Sequence, residues 1–141
     1  MAQQQQETDT QFQQKINYII QSSLFVQLEL RLFHWNTKNY AAHIASGNLY
    51  TALDPLIDQF VEVYSGKQQE NKKIYNPPGN MNMRVIEVYD KDTLVNLLNE
   101  YKDILVNSKL SFKDMKNYDL NNIRDTMLAE INRTIYLLQM S

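Results

Sequence analysis

The residues with the widest chemical scope lie between Phe33 and Glu62. His34 and His43 are the only histidines among 141 residues, and Trp35, the only tryptophan, adjoins the first of them. Asp54, Asp58 and Glu62 come next, each four residues after the last. Four-residue spacing stacks side chains on one face of a helix. Two imidazoles and a ridge of carboxylates offer nitrogen and oxygen donors that suit iron, with zinc as the alternative. The chain has no cysteine, which excludes thiolate ligands, disulfides and cysteine nucleophiles. With three scattered glycines it also lacks phosphate-binding and dinucleotide-binding loops. A di-iron centre inside one bundle needs Glu-x-x-His on two helices. At that offset Glu62 has Ser65 and Glu130 has Arg133, and no histidine lies beyond residue 43.

These residues need long helices to position them. Only three glycines and three prolines occur, two of the latter adjacent at Pro77-Pro78, so breakers are few. Residues 1–10 are polar and form an expected tail, with Asp9 or Thr10 as the cap of the first helix. From Gln11 to about Thr37, Phe12, Ile16, Ile19, Ile20, Leu24, Leu28, Phe33 and Trp35 recur mostly at helical spacing. A helix of roughly 26 residues spans ~40 Å, which suits a bundle.

A short joint at Asn36–Asn39 leads to a second helix over Tyr40–Tyr64, closed by Ser65-Gly66. Pro55 leaves two readings of this helix. Either it kinks near Thr51, or it restarts with Asp54 as its cap. Residues 67–90 form the largest break, holding the turn cluster Asn76–Asn80 and a stretch, Met83–Tyr89, that is either a short strand or a loop over the bundle. Asp90 or Asp92 caps a third helix with Leu94, Leu97, Leu98, Tyr101, Ile104 and Leu105 inward. Asp119 caps a fourth, with Ile123, Met127, Ile131, Ile135 and Leu138 inward. The expected fold is all-α: residues 11–141 form one ferritin-like four-helix bundle with a long crossover between helices 2 and 3.

The motif His34-Trp35-Asn36-x-Lys38 resembles the His-Trp-Asn-x-Lys-Gly signature of the Dps family, the miniferritins. That family carries a second histidine at the start of the next helix, then Asp-x-x-x-Glu 15 and 19 residues later. His43 to Asp58 is 15 residues and His43 to Glu62 is 19. The resemblance implies iron ligands His34 and His43 from one subunit, with Asp58 and Glu62 from a two-fold-related copy. It places Trp35 beside the site and Lys38 in the turn after the signature. It further implies a homo-oligomer, at least a dimer, that oxidises Fe(II) with peroxide or dioxygen. The motif match covers roughly residues 12–65, and the helix pattern covers the rest. Three departures stand out. The joint between the histidines is three residues shorter, the glycine after Lys38 is Asn39, and the family's Asp four residues after the second histidine is Gly47. The loss of that carboxylate leaves Asp54 as its only replacement. The chain also resembles short phage and giant-virus proteins with a Phe/Leu-His-Trp motif.

Net charge is −2, and residues 1–10 carry no Lys or Arg, so nucleic-acid binding is not expected. No run of about 18 apolar residues exists and no signal-peptide pattern opens the chain, so a cytoplasmic location in a cell or infected host, or a place in a virion, is expected. Each site residue also has a plainer role. His34 is a favourable cation at a helix C-terminus, and carboxylates at four-residue spacing suit a solvated helix edge. The alternative function is therefore a metal-free helical structural or interaction protein, viral or virion-associated, that retains the bundle.

Overall fold

The computed structural model describes residues 9–68, 75–77, 79–108 and 117–140. Of the expected tail at 1–10, residues 1–8 lie outside them, as do the lysines at 72 and 73, while residues 9 and 10 belong to the first helix. Among the described residues four helices form a bundle: α1 (Asp9–Asn36), α2 (Tyr40–Gly66), α3 (Lys91–Asn107) and α4 (Tyr118–Gln139). No strand occurs among the described residues.

α1 and α2 are joined by a very short connection, so they run antiparallel. At the far end the Tyr64 hydroxyl donates to Gln13, tying the close of α2 to the opening of α1. The joint is built by short-range bonds. Thr37 N donates to Phe33 O at 2.9 Å, and the Asn39 side chain caps α2 by accepting from Ala42 N at 2.9 Å. An Asx cap of this kind typically contributes about 1 kcal/mol. Pro55 lies inside one uninterrupted α2, which excludes a restart at Asp54. Strong helical periodicity and burial on both sides of the proline outweigh one lost hydrogen bond.

α2 packs against α1 and α4, and α3 packs against α4 and α1, while α2 and α3 barely touch. Lys67 at the end of α2 pairs with Asp119 at the start of α4 at 2.9 Å. The core runs through all four helices and includes Ile16, Leu30, Phe33, Leu53, Phe60, Leu98, Met127 and Ile131. All five inward positions expected on α4 are buried. On α1 the expectation fails at Leu24, Leu28 and Trp35, which face solvent together on one side of the helix.

Asp90 caps α3 by accepting from Thr93 N at 2.8 Å. The Thr93 side chain, and after it this backbone bond, hold the Asp90 carboxyl below the usual range. Asp119 does not cap α4. The helix starts one residue earlier, at Tyr118, and Asp119 sits in its first turn accepting from Leu120 N. Met83–Tyr89 is a loop laid over the bundle, not a strand. Tyr89 packs edge-on against Phe33 at 5.1 Å, and Arg84 pins the loop by ion pairs to Glu29 on α1 and Glu100 on α3.

Candidate metal centre

His34 ends α1 and His43 opens α2, and the short joint folds one onto the other. Their rings stack with centroids 3.9 Å apart and planes 14° from parallel. The backbone is shared as well: His34 Nδ1 lies 2.8 Å from the carbonyl oxygen of His43, and His43 Nδ1 lies 2.7 Å from that of His34. A carbonyl oxygen only accepts, so both Nδ1 atoms carry hydrogen. In each neutral ring Nε2 is then the lone-pair nitrogen, the arrangement in which metal-binding histidines are usually held.

Gly47 is the residue that permits this pairing. A Cβ built there would sit 2.8 Å from Cε1 and Nδ1 of His34, closer than side chains pack. The missing carboxylate and the seated imidazole are therefore one fact: a side chain at 47 and this ring position are mutually exclusive. Tyr50, one turn on, presents its ring at 88° to His34 with centroids 5.6 Å apart. Arg31 covers the Tyr50 ring at 4.6 Å and donates back to Gln27 O at 3.2 Å. Sequence patterns make Gly47 an absent ligand; that it is a seat for His34 needs the helix crossing to be seen.

The remaining residues stand apart from this pair. Asp54, Asp58 and Glu62 are all exposed and continue one solvent face of α2 that runs from Tyr40 through Ile44, Asn48, Thr51 and Pro55. Trp35 is 68% exposed and Lys38 lies on the exposed joint. Among the described residues, no three His, Asp or Glu gather closely enough to hold a metal ion. The nearly parallel rings also bear on coordination. Their Nε2 lone pairs lie in the ring planes, and two planes only 14° from parallel do not bring them together on one ion.

No helix among the described residues is long and apolar enough to cross a membrane. No curated protein matches the chain, and neither does any solved structure. A family model matches from His34 to Leu138, taking in both histidines, α2, α3 and nearly all of α4; the chain belongs to that family, DUF5856, a family of unknown function.

Proposed function

We propose that the chain is a Dps-like, ferritin-like iron-binding protein whose metal site is completed between two copies. The observation that carries this reading is the reciprocal Nδ1–H bonding of His34 and His43, which leaves two Nε2 donors fixed and unspent. The solvent face of α2 supports the second half. It carries Tyr40 and Ile44 at the His43 end and Asp54, Asp58 and Glu62 at the other, so two copies meeting antiparallel keep their acidic ends apart. A two-fold axis near Thr51 and Ala52 lies midway between His43 and the Asp58–Glu62 pair. It sets the imidazoles of each copy opposite the carboxylates of the other. Thr51 and Ala52 have small side chains and allow close approach. The exposed Leu24, Leu28 and Trp35 supply apolar area beside it. Diagonal placement of α2 and α3 suits a ferritin-like bundle with a long crossover, since adjacent placement would need only a short loop.

In that site each imidazole serves its own position, and carboxylates contribute the hard donors. Asp54 lies one turn nearer the proposed axis than Asp58. Iron, when bound, supplies the redox chemistry of Fe(II) oxidation; the protein supplies ligands and orientation. The chain's own contribution is to fix the tautomer and orientation of both rings, with each Nδ1–H committed to a backbone oxygen and Nε2 left as the ligating nitrogen. Zinc fits the same donors.

The test is subunit complementation. Wild-type protein should be dimeric or larger and should bind Fe(II), with ferric absorbance developing in air. His34→Ala and Asp58→Ala should each bind little. Mixing the two under conditions of subunit exchange should restore part of the binding, because a heterodimer contains one intact site. A monomeric wild type that binds no iron, or no recovery on mixing, sinks the reading. The second reading is a metal-free interaction protein, favoured by the exposed Trp35 and Tyr40 beside the histidine pair. Dimerisation with no iron uptake selects it.

A further inference from the structure

We propose that Arg124, in the second turn of α4, anchors a binding site for a tetrahedral oxyanion of the phosphate class, and that Asp125 holds the anion's place in its absence. The site lies at the end of the bundle where α2 closes and α4 opens, joined there by Lys67 and Asp119. His43 opens α2, so the histidine pair is at the opposite end and the two sites are independent.

By position Arg124 is a core residue. Leu120 one turn before it, and Met127 and Ile131 on the turns after, are fully buried, and Arg124 itself is 7% exposed. A guanidinium brings five N–H donors and no acceptor into this apolar stripe. Nη2 donates to Asp125 Oδ1 at 2.9 Å. Nε and Nη1 are buried and make no hydrogen bond among the described residues. Buried donors are normally partnered, and an unpartnered ionic group is among the costliest a core can hold. Arg84 shows the ordinary state. Its side chain is 46% exposed, yet all three of its nitrogens bond to Glu29 or Glu100. The better-buried arginine is the worse satisfied.

The unused donors define the ligand. Nε carries one N–H and Nη1 two, so an anion with oxygens in several directions answers them better than a planar carboxylate, which offers two. Asp125 engages a single nitrogen through a single oxygen. Its side chain is 58% exposed, so it can turn into water and open the guanidinium from the solvent side. Long side chains on a helix lean toward its N-terminus, where the amide dipoles of α4 add to the attraction for an anion. Asp119, the acidic residue of that first turn, is already paired with Lys67 at 2.9 Å.

The experiment titrates the full-length protein at neutral pH with inorganic phosphate, methyl phosphate and acetate, each against sodium chloride of equal ionic strength. Phosphate should raise the melting temperature by a few degrees at about ten times its Kd. A response to methyl phosphate as well identifies the ligand as a phosphate monoester, and a response to phosphate alone identifies the free ion. Acetate should do no more than chloride. Asp125→Asn removes the competing charge and should bind phosphate several-fold tighter in calorimetric titration. Arg124→Met keeps the apolar stripe filled, so without phosphate it should melt no lower than the wild type. It should also lose the phosphate increment. A wild type that responds to phosphate no more than to chloride, equal stabilisation by acetate, or no tightening in Asp125→Asn would overturn the proposal. So would an Arg124→Met protein that melts far lower or keeps the increment.

Discussion

The histidine pair and the Arg84 clamp are both polar clusters set into an apolar bundle, and they solve the burial problem in different ways. At the α1–α2 joint the groups are local. Each imidazole spends its proton on a backbone oxygen nine residues away, and the His34 ring rests on a glycine. Between α1 and α3 the groups are charged and distant. Glu29 is compensated by a guanidinium 55 residues further along the chain. Its two partners hold Arg84 protonated, the hydrogen bond with Glu29 being the larger influence. A local pair bonded to nearby backbone oxygens needs no partner from a distant segment. A buried carboxylate must be matched by a cation, and the fold of the crossover loop depends on that match.

The largest effect that separates the two clusters should come from Arg84→Ala. It leaves the Glu29 carboxylate buried without its cation, and should cost roughly 2–4 kcal/mol in chemical denaturation, toward the lower end because Arg84 itself is half exposed. Glu100→Gln removes only the exposed partner and should cost about 0–1 kcal/mol. Equal losses would mean that Glu29 is not what the clamp serves.

Tyr101, on the α1–α3 side, gives the fold an alkaline pH signature. Burial raises its pKa above the ordinary 10.0, against a smaller opposing influence from the Ser23 hydrogen bond. The folded chain thus holds a proton that the unfolded chain releases. The stabilisation is complete below about pH 10 and is lost as pH rises from there toward the folded value, at about 1.4 kcal/mol per pH unit. Denaturation curves from about pH 9 to pH 12 should show this slope, and Tyr101→Phe should remove one proton's share of it. An unchanged slope in the variant would place the alkaline sensitivity elsewhere.

The smallest effect concerns Gly47, where two influences of similar size oppose. Ala in a helix interior gains about 0.5–1 kcal/mol over Gly. Here its Cβ must also push His34 off the His43 carbonyl. Gly47→Ala should be neutral or destabilising in the wild type and stabilising in a His34→Ala background. The coupling between the two sites should be about 1 kcal/mol. An Asp at 47 meets the same ring, so it should loosen the imidazole pair before it can act as a ligand. If Gly47→Ala stabilises both backgrounds alike, the ring is free to move and the pair is not locked.

Much of this molecule is legible in its sequence because it is local. Apolar residues at helical spacing place all four helices within a few residues, and the cap of α3 is narrowed to Asp90 or Asp92, of which the structure uses Asp90. Boundaries fail where the choice is made by something distant. Asp119 has the chemistry of a cap, but Lys67 from α2 holds its carboxylate, and α4 begins one residue sooner. Met83–Tyr89 has the composition of a strand, but it has no partner strand among the described residues, and its anchors are side chains of α1 and α3. Leu24, Leu28 and Trp35 fit the apolar stripe of α1, yet a helix in a four-membered ring cannot bury every side.

By itself the sequence determined that the chain is all-helical and has two histidines that a short joint must bring together. Spacing along one chain is enough for that, because helix geometry and so short a connection leave few alternatives. Only the tertiary structure decided that Gly47 seats a ring and that α2 runs unbroken through Pro55. It likewise decided that a buried glutamate on α1 is matched by an arginine from the crossover loop. These depend on which helix faces meet and how closely, and no periodicity within a single segment encodes the distance between two of them.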